Sequence, residues 1–272
     1  MTEAPGLLDI GDPPPVDVHR ERGTSRIVLV ADHAGQRIPA ALGTLGLPQR
    51  ELDRHIGWDI GIEEVTRQLA DRLDAVAVLQ RYSRLVIDCN RPPGAPGSIA
   101  LASDGTLVPG NAGLTPGDVS ARTRDIFAPY HQRIARELDS RGPTRPPILI
   151  AMHSFTPVFG GQARPWHAGV LYQRDARLAH PLLAALRREP GLVVGDNEPY
   201  AVSDATDYAI PVHGEQRGLL HVELEIRQDL IAEAPGQAQW AARLARLLRP
   251  IVEDLARQYG APVTTDAAAR RA

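Results

Sequence analysis

The sequence predicts an α/β fold: a mostly parallel or mixed central sheet with helices on both faces. Three observations carry this. Short aliphatic runs alternate with longer amphipathic stretches. Most of the runs are continuously apolar, as strands covered on both faces must be. Three polar clusters also follow directly on such runs, where ligands bind in open α/β sheets. These are Asp32-His33 after IVLVA, Asp88 to Arg91 at the end of LVID, and His153-Ser154 after ILIAM.

Residues 1–24 read as an N-terminal tail, because Pro13-Pro14-Pro15 is extended and cannot pair inside a sheet. Residues 25–259 then form a single α/β domain, and 260–272 a polar C-terminal tail. Strands are expected at 27–31, 76–80, 85–88, 148–152, 168–172, 192–194 and 220–226. Apolar residues return at three- and four-residue steps over 59–73, 118–140, 176–188 and 236–258, which predicts helices. Gly and Pro gather at 92–117, and GPTRPP precedes the fourth expected strand, marking loops.

Composition excludes several classes. The chain has 272 residues, 43% of them hydrophobic, enough for a substantial core. Its net charge is −3, and the 30 basic residues are all arginine, scattered among acids, so no nucleic-acid face is evident. The missing lysines read as a coding bias. With Cys89 alone, neither an internal disulfide nor a thiolate zinc site can form. That fits the cytoplasm, as does an acidic N-terminus with no export signal. No apolar run approaches the roughly 20 residues of a membrane helix.

His33 and His153 each follow an aliphatic run, off the core faces. Neutral imidazoles are favoured zinc ligands, and a catalytic zinc takes three protein ligands plus water. Cysteine cannot be the third, so a carboxylate is expected, and Gln36 stands where the familiar short motif has its Glu. Asp59 is the best candidate, although it can equally be a helix N-cap. His55, four residues earlier, is a second candidate, and Asp32 either orients His33 or closes the turn. In LHVELEIRQDL, Glu223, Glu225 and Arg227 share one strand face, with Val222, Leu224 and Ile226 on the other. The charged row either pairs across an exposed edge or lines a cleft, where one Glu beside a metal-bound water is a general base. Glu225, nearer the strand's end, is preferred and Glu223 is the reserve. Arg84, Asn90 and Arg91 suggest a bound carboxylate, which a guanidinium fork matches.

Taken together, DHAGQRIP, HIGWDIG, RYSRLVIDCNRP, PYH, MHSF and ELEIRQDL, in that order, resemble the N-formylglutamate amidohydrolase family over most of residues 27–255. The resemblance implies a phosphorylase/hydrolase-like fold of the zinc carboxypeptidase and aspartoacylase type. It implies one zinc and hydrolysis of a small N-acyl amino acid such as N-formylglutamate. Carried over by motif, it assigns His33, Asp59 and His153 as zinc ligands, Glu225 as the base, and Asn90 and Arg91 as carboxylate contacts. Arg84 or Arg227 would assist them, and His213 and Tyr208 could line the pocket. The ADHAG turn departs from the Pro-His-Ser type of better-known members. Three rivals stand beside this reading: a serine hydrolase using Ser154 with His153, a non-catalytic binder of a dicarboxylate or amino acid, and a cell-wall peptide amidase.

Overall fold

The computed structural model describes residues 6–142 and 145–259. Seven strands form one sheet: β1 (Val16–His19), β2 (Ile27–Ala31), β3 (Val76–Gln80), β4 (Ile148–Phe155), β5 (Ala168–Leu171), β6 (Val194–Asp196) and β7 (Leu220–Arg227). Their spatial order is β1-β3-β2-β4-β7-β5-β6. The four central strands β3, β2, β4 and β7 are mutually parallel, while β1 and β5 run antiparallel to their inner neighbours. The sheet is therefore mixed, with a parallel centre.

Alternation within the apolar runs sorts side chains into two layers. Ile27, Leu29, Ile150, Val222 and Leu224 face a core covered by α1 (Ile62–Leu73), α3 (Ala179–Arg187) and α4 (Ala234–Tyr259). Val28, Val30, Leu149 and Ala151 face the opposite core, under α2 (Ala128–Asp139) and the segments at 45–56 and 82–89. Burying one such aliphatic side chain contributes about 1.5–3 kcal/mol. Among the described residues no helix is long and apolar enough to cross a membrane.

Three expectations are corrected. Residues 1–24 are not all tail, because Val16–His19 pairs along the free edge of β3. Pro13 to Pro15 precede that strand, and an edge position is where such a neighbourhood is tolerated. LVID (85–88) is not a strand but a chain of buried turns. Its carbonyls are met by side chains: Arg122 donates to Val86 and Asn111 to Leu85. A short apolar run reports burial and not the extended state. The third correction concerns 118–140, which is Pro116–Arg122, a wider π segment (Thr123–Phe127) and α2 in succession. The expected tail at 260–272 lies outside the described residues.

Two glycines allow the rim to close. A Cβ on Gly35 would lie 2.0 Å from the Arg81 carbonyl oxygen, so the turn after His33 packs directly on backbone. Gly61 sits at φ +78° with its ideal Cβ 2.0 Å from the Ile231 carbonyl oxygen, and it delays α1 until Ile62. Gly61→Ala is expected to destabilise the protein by about 2 kcal/mol or more, the scale of an overpacked contact with added backbone strain. Urea unfolding would measure it, and an unchanged midpoint would contradict the account.

Candidate metal centre

The carboxyl ends of β2, β4 and β7 converge on one cleft of about 400 Å³. His33 lies two residues past β2, and His153 is in β4, two residues before its end. Asp59 comes from the loop before α1, and backbone contacts place it there. Its N–H donates to the His33 carbonyl at 2.9 Å, and its Oδ2 accepts the Ser154 N–H at 3.1 Å. Asp59 is therefore not the N-cap of α1, a position held by Gly61. One ligand atom each from His33, Asp59 and His153 lie within 4.8 Å of one another, and all three residues are buried. His153 Nδ1 is 3.0 Å and His33 Nδ1 3.6 Å from Asp59 Oδ2.

Each imidazole has an acid behind it. His33 Nε2 donates to Asp88 Oδ1 at 2.7 Å, and His153 Nε2 lies 3.4 Å from Asp32 Oδ2. Asp32 thus serves His153 and not its chain neighbour His33. Such outer carboxylates fix the tautomer and aim of a ligating ring. The Asp88 bond leaves His33 Nδ1 buried without a hydrogen-bond partner and turned toward Asp59. Two imidazoles and one carboxylate form a zinc-type donor set.

The electrostatics agree. Burial pushes the Asp59 carboxyl up, but His33 and His153 outweigh it and hold it far below its ordinary value. Asp88 is likewise lowered against burial, by His33 and Arg84. Burial disfavours charge on both imidazoles, yet Asp88 and Asp59 raise His33, and Glu223, Asp32 and Asp59 raise His153 well above the usual range. Burial also raises Glu223 and Glu225, each to about 8.

Glu225 stands opposite His153 in the β7–β4 register and Glu223 opposite Ala151. Both line the cleft and both are buried, which decides the sequence's ambiguity against an exposed edge. Arg84 lines it too, donating to Asp88 Oδ2 at 2.9 Å and lying 3.5 Å from Asp59 Oδ1. Arg91 borders the cleft with only its Nε near an acid, 3.4 Å from Asp88. Asn90 is present but spends its carbonyl oxygen on the N–H groups of Tyr208 and Ala209.

Other expected residues lie elsewhere. Arg227 turns away to Asp229 and to the carbonyls of Arg164 and Trp166, because β7 ends there and the alternation no longer points inward. His213 is buried against His131, 3.1 Å between ring nitrogens, and does not border the cleft. Burial lowers these two rings to about 3 and about 4 respectively, so they are neutral. His55 borders the cleft but faces Asp104, outside the ligand set. Ser154 Oγ donates to the Ile60 carbonyl at 3.0 Å, a structural bond that takes it out of nucleophilic chemistry. The sequence reading named Asp88 without giving it a task. It missed the aromatic wall of Phe159 and Tyr200, which no spacing rule joins.

Fold and cleft together define a hydrolytic α/β enzyme with a candidate metal centre at its sheet rim. The description N-formylglutamate amidohydrolase fits residues 25–232, and the chain belongs to that family, whose members hydrolyse a linear amide. It is similar to the gene product Atu2144 from Agrobacterium tumefaciens, at 35% identity and a TM-score of 0.88, over 92% of this chain and 99% of that one. An N-formylglutamate amidohydrolase from Ralstonia eutropha JMP134 shares the fold, at 19% identity and a TM-score of 0.67, over 90% of this chain and 100% of that one. A comparison with curated proteins returns no match. Family membership sets aside the non-catalytic binder.

Proposed function

We propose that this protein hydrolyses the amide of a small N-acyl amino acid, in the first instance an N-formyl one such as N-formylglutamate. A zinc ion would be held by His33, Asp59 and His153. When bound, zinc supplies Lewis acidity that acidifies a water and polarises the scissile carbonyl. Glu225 accepts the water's proton on its unpartnered Oε2 and returns it to the leaving nitrogen. Arg91 offers its terminal nitrogens to the substrate carboxylate, and Asn90 accepts the Tyr208 and Ala209 N–H groups and donates to the carboxylate of Asp207, which borders the cleft. Asp88 and Asp32 keep the two imidazoles aimed.

The observation that carries this reading is the convergence of three ligand atoms beside Glu225, its strand neighbour His153 being one of the ligands. Metal analysis should find about one zinc per chain, and the loaded protein should release formate from N-formyl amino acids. Absence of both would refute it. Asp88→Asn is expected to weaken zinc binding by about 10–100-fold, the usual loss when an outer partner of a ligating histidine is removed. Competition against a chromophoric chelator would measure the change, and unaltered affinity would remove Asp88 from the centre.

A further inference from the structure

The cleft's charges and its aromatic wall bear on the substrate. Five carboxylates border it, from Asp59, Asp88, Asp207, Glu223 and Glu225, against the two guanidinium groups of Arg84 and Arg91. Arg84 gives both terminal nitrogens to Asp88 and Asp59. Among the described residues that leaves Arg91 as the guanidinium lining the cleft with its fork open, while Arg164 packs on the aromatic wall and Arg227 points elsewhere. A dicarboxylate needs two such receptors, since an unpaired carboxylate among acids is strongly disfavoured.

The wall away from the ligands is aromatic. Phe159, on the hairpin of Val158–Phe159 and Gln162–Ala163, and Tyr200 both border the cleft while remaining 46% and 44% exposed. Arg164 lies over both rings, its Cζ 4.8 Å from each centroid, and donates to the Tyr200 hydroxyl at 2.9 Å. The guanidinium thus ties the hairpin to the loop carrying Tyr200 and sets the two rings as one surface. The exposed remainder of the two rings favours a flat apolar partner.

We infer that the substrate brings one carboxylate to Arg91 and a flat apolar group to the Phe159–Tyr200 wall, where a glutamate would carry its second carboxylate. This rests on the amidohydrolase reading above. The flat group is either the amino-acid side chain or the acyl group.

The zinc-loaded enzyme would be assayed with N-formyl-L-phenylalanine, N-benzoylglycine, N-formylglycine and N-formyl-L-glutamate. One of the aromatic compounds should exceed N-formylglutamate in kcat/KM by about tenfold or more, the scale of a ring contact. Which one does so tells the side chain from the acyl group. Phe159→Ala should erase that advantage through KM. Calorimetric binding to the Glu225→Gln protein should rank the ligands in the same order. If N-formylglutamate is preferred, and Arg164→Gln abolishes the preference, Arg164 is a second carboxylate receptor. The inference then fails with the amidohydrolase reading intact. Hydrolysis of none of the four compounds overturns both.

Discussion

Glu225→Gln is expected to lower kcat by about 10³-fold while leaving zinc stoichiometry unchanged, because general-base help is worth roughly 10²–10⁴. The amide keeps the shape of the side chain but cannot take a proton. Glu225 is the proposed base in preference to Glu223 on strand register. Glu225 faces His153 across the strands, and Asp59 and Arg84 act on its charge, so it belongs to the ligand group. Glu223 also feels His153, and Asp207 besides, but it sits two residues back from the rim, about 6.6 Å along the strand, opposite Ala151. Glu223→Gln should therefore cost far less. Burial raises Glu225 to about 8 in the absence of a cation, and a nearby dication favours the ionised form. In the loaded enzyme kcat/KM should fall as pH drops through this lowered value, and the variant's residual activity should lack that limb. Wild-type turnover in Glu225→Gln, or zinc lost with the base, would move the role to another group.

The strands of the parallel centre were legible because burial on both faces leaves continuous aliphatic runs, and the rim residues because they interrupt those runs. His33 and His153 were located this way, and Glu225 by the alternation of LHVELEI, which sets it on the face that borders the cleft. Asp59 was harder. Its carboxylate suits a helix cap as well as a metal, and only the backbone bonds to His33 and Ser154 separate the two. LVID misled for a related reason, since side chains of Arg122 and Asn111 satisfy its buried carbonyls and no neighbouring strand is needed. Arg227 was misplaced because a face argument holds only while the strand continues. Pairings across the fold, such as Asp32 with His153 or Arg164 between two rings, leave no local trace. They depend on which loops meet and not on any spacing.

Stripping the metal is expected to make stability strongly pH-dependent. In the stripped protein His33 and His153 have pKa values raised above 6.5 by their acid partners. Their ion-pair contribution is complete below 6.5 and is lost as pH climbs through the raised values. Glu223 and Glu225, raised from 4.5 to about 8, act in the same sense. They favour the folded state most below 4.5, and that advantage is gone once pH passes about 8. Asp32, Asp59 and Asp88 oppose this trend only in acid, since their depressed values place the loss below 3.8. Between pH 6 and 9 the stripped protein should therefore weaken steadily. Zinc needs neutral imidazoles and ionised carboxylates, so its affinity strengthens across the same window. The gap in Tm between zinc-loaded and stripped protein should widen from pH 6 to pH 9. At about 2–4 °C per kcal/mol for a chain of this size, roughly 5 °C or more is expected. Scanning calorimetry at four pH values would show it. A gap that stays constant would mean that protons and metal do not compete for the same two rings.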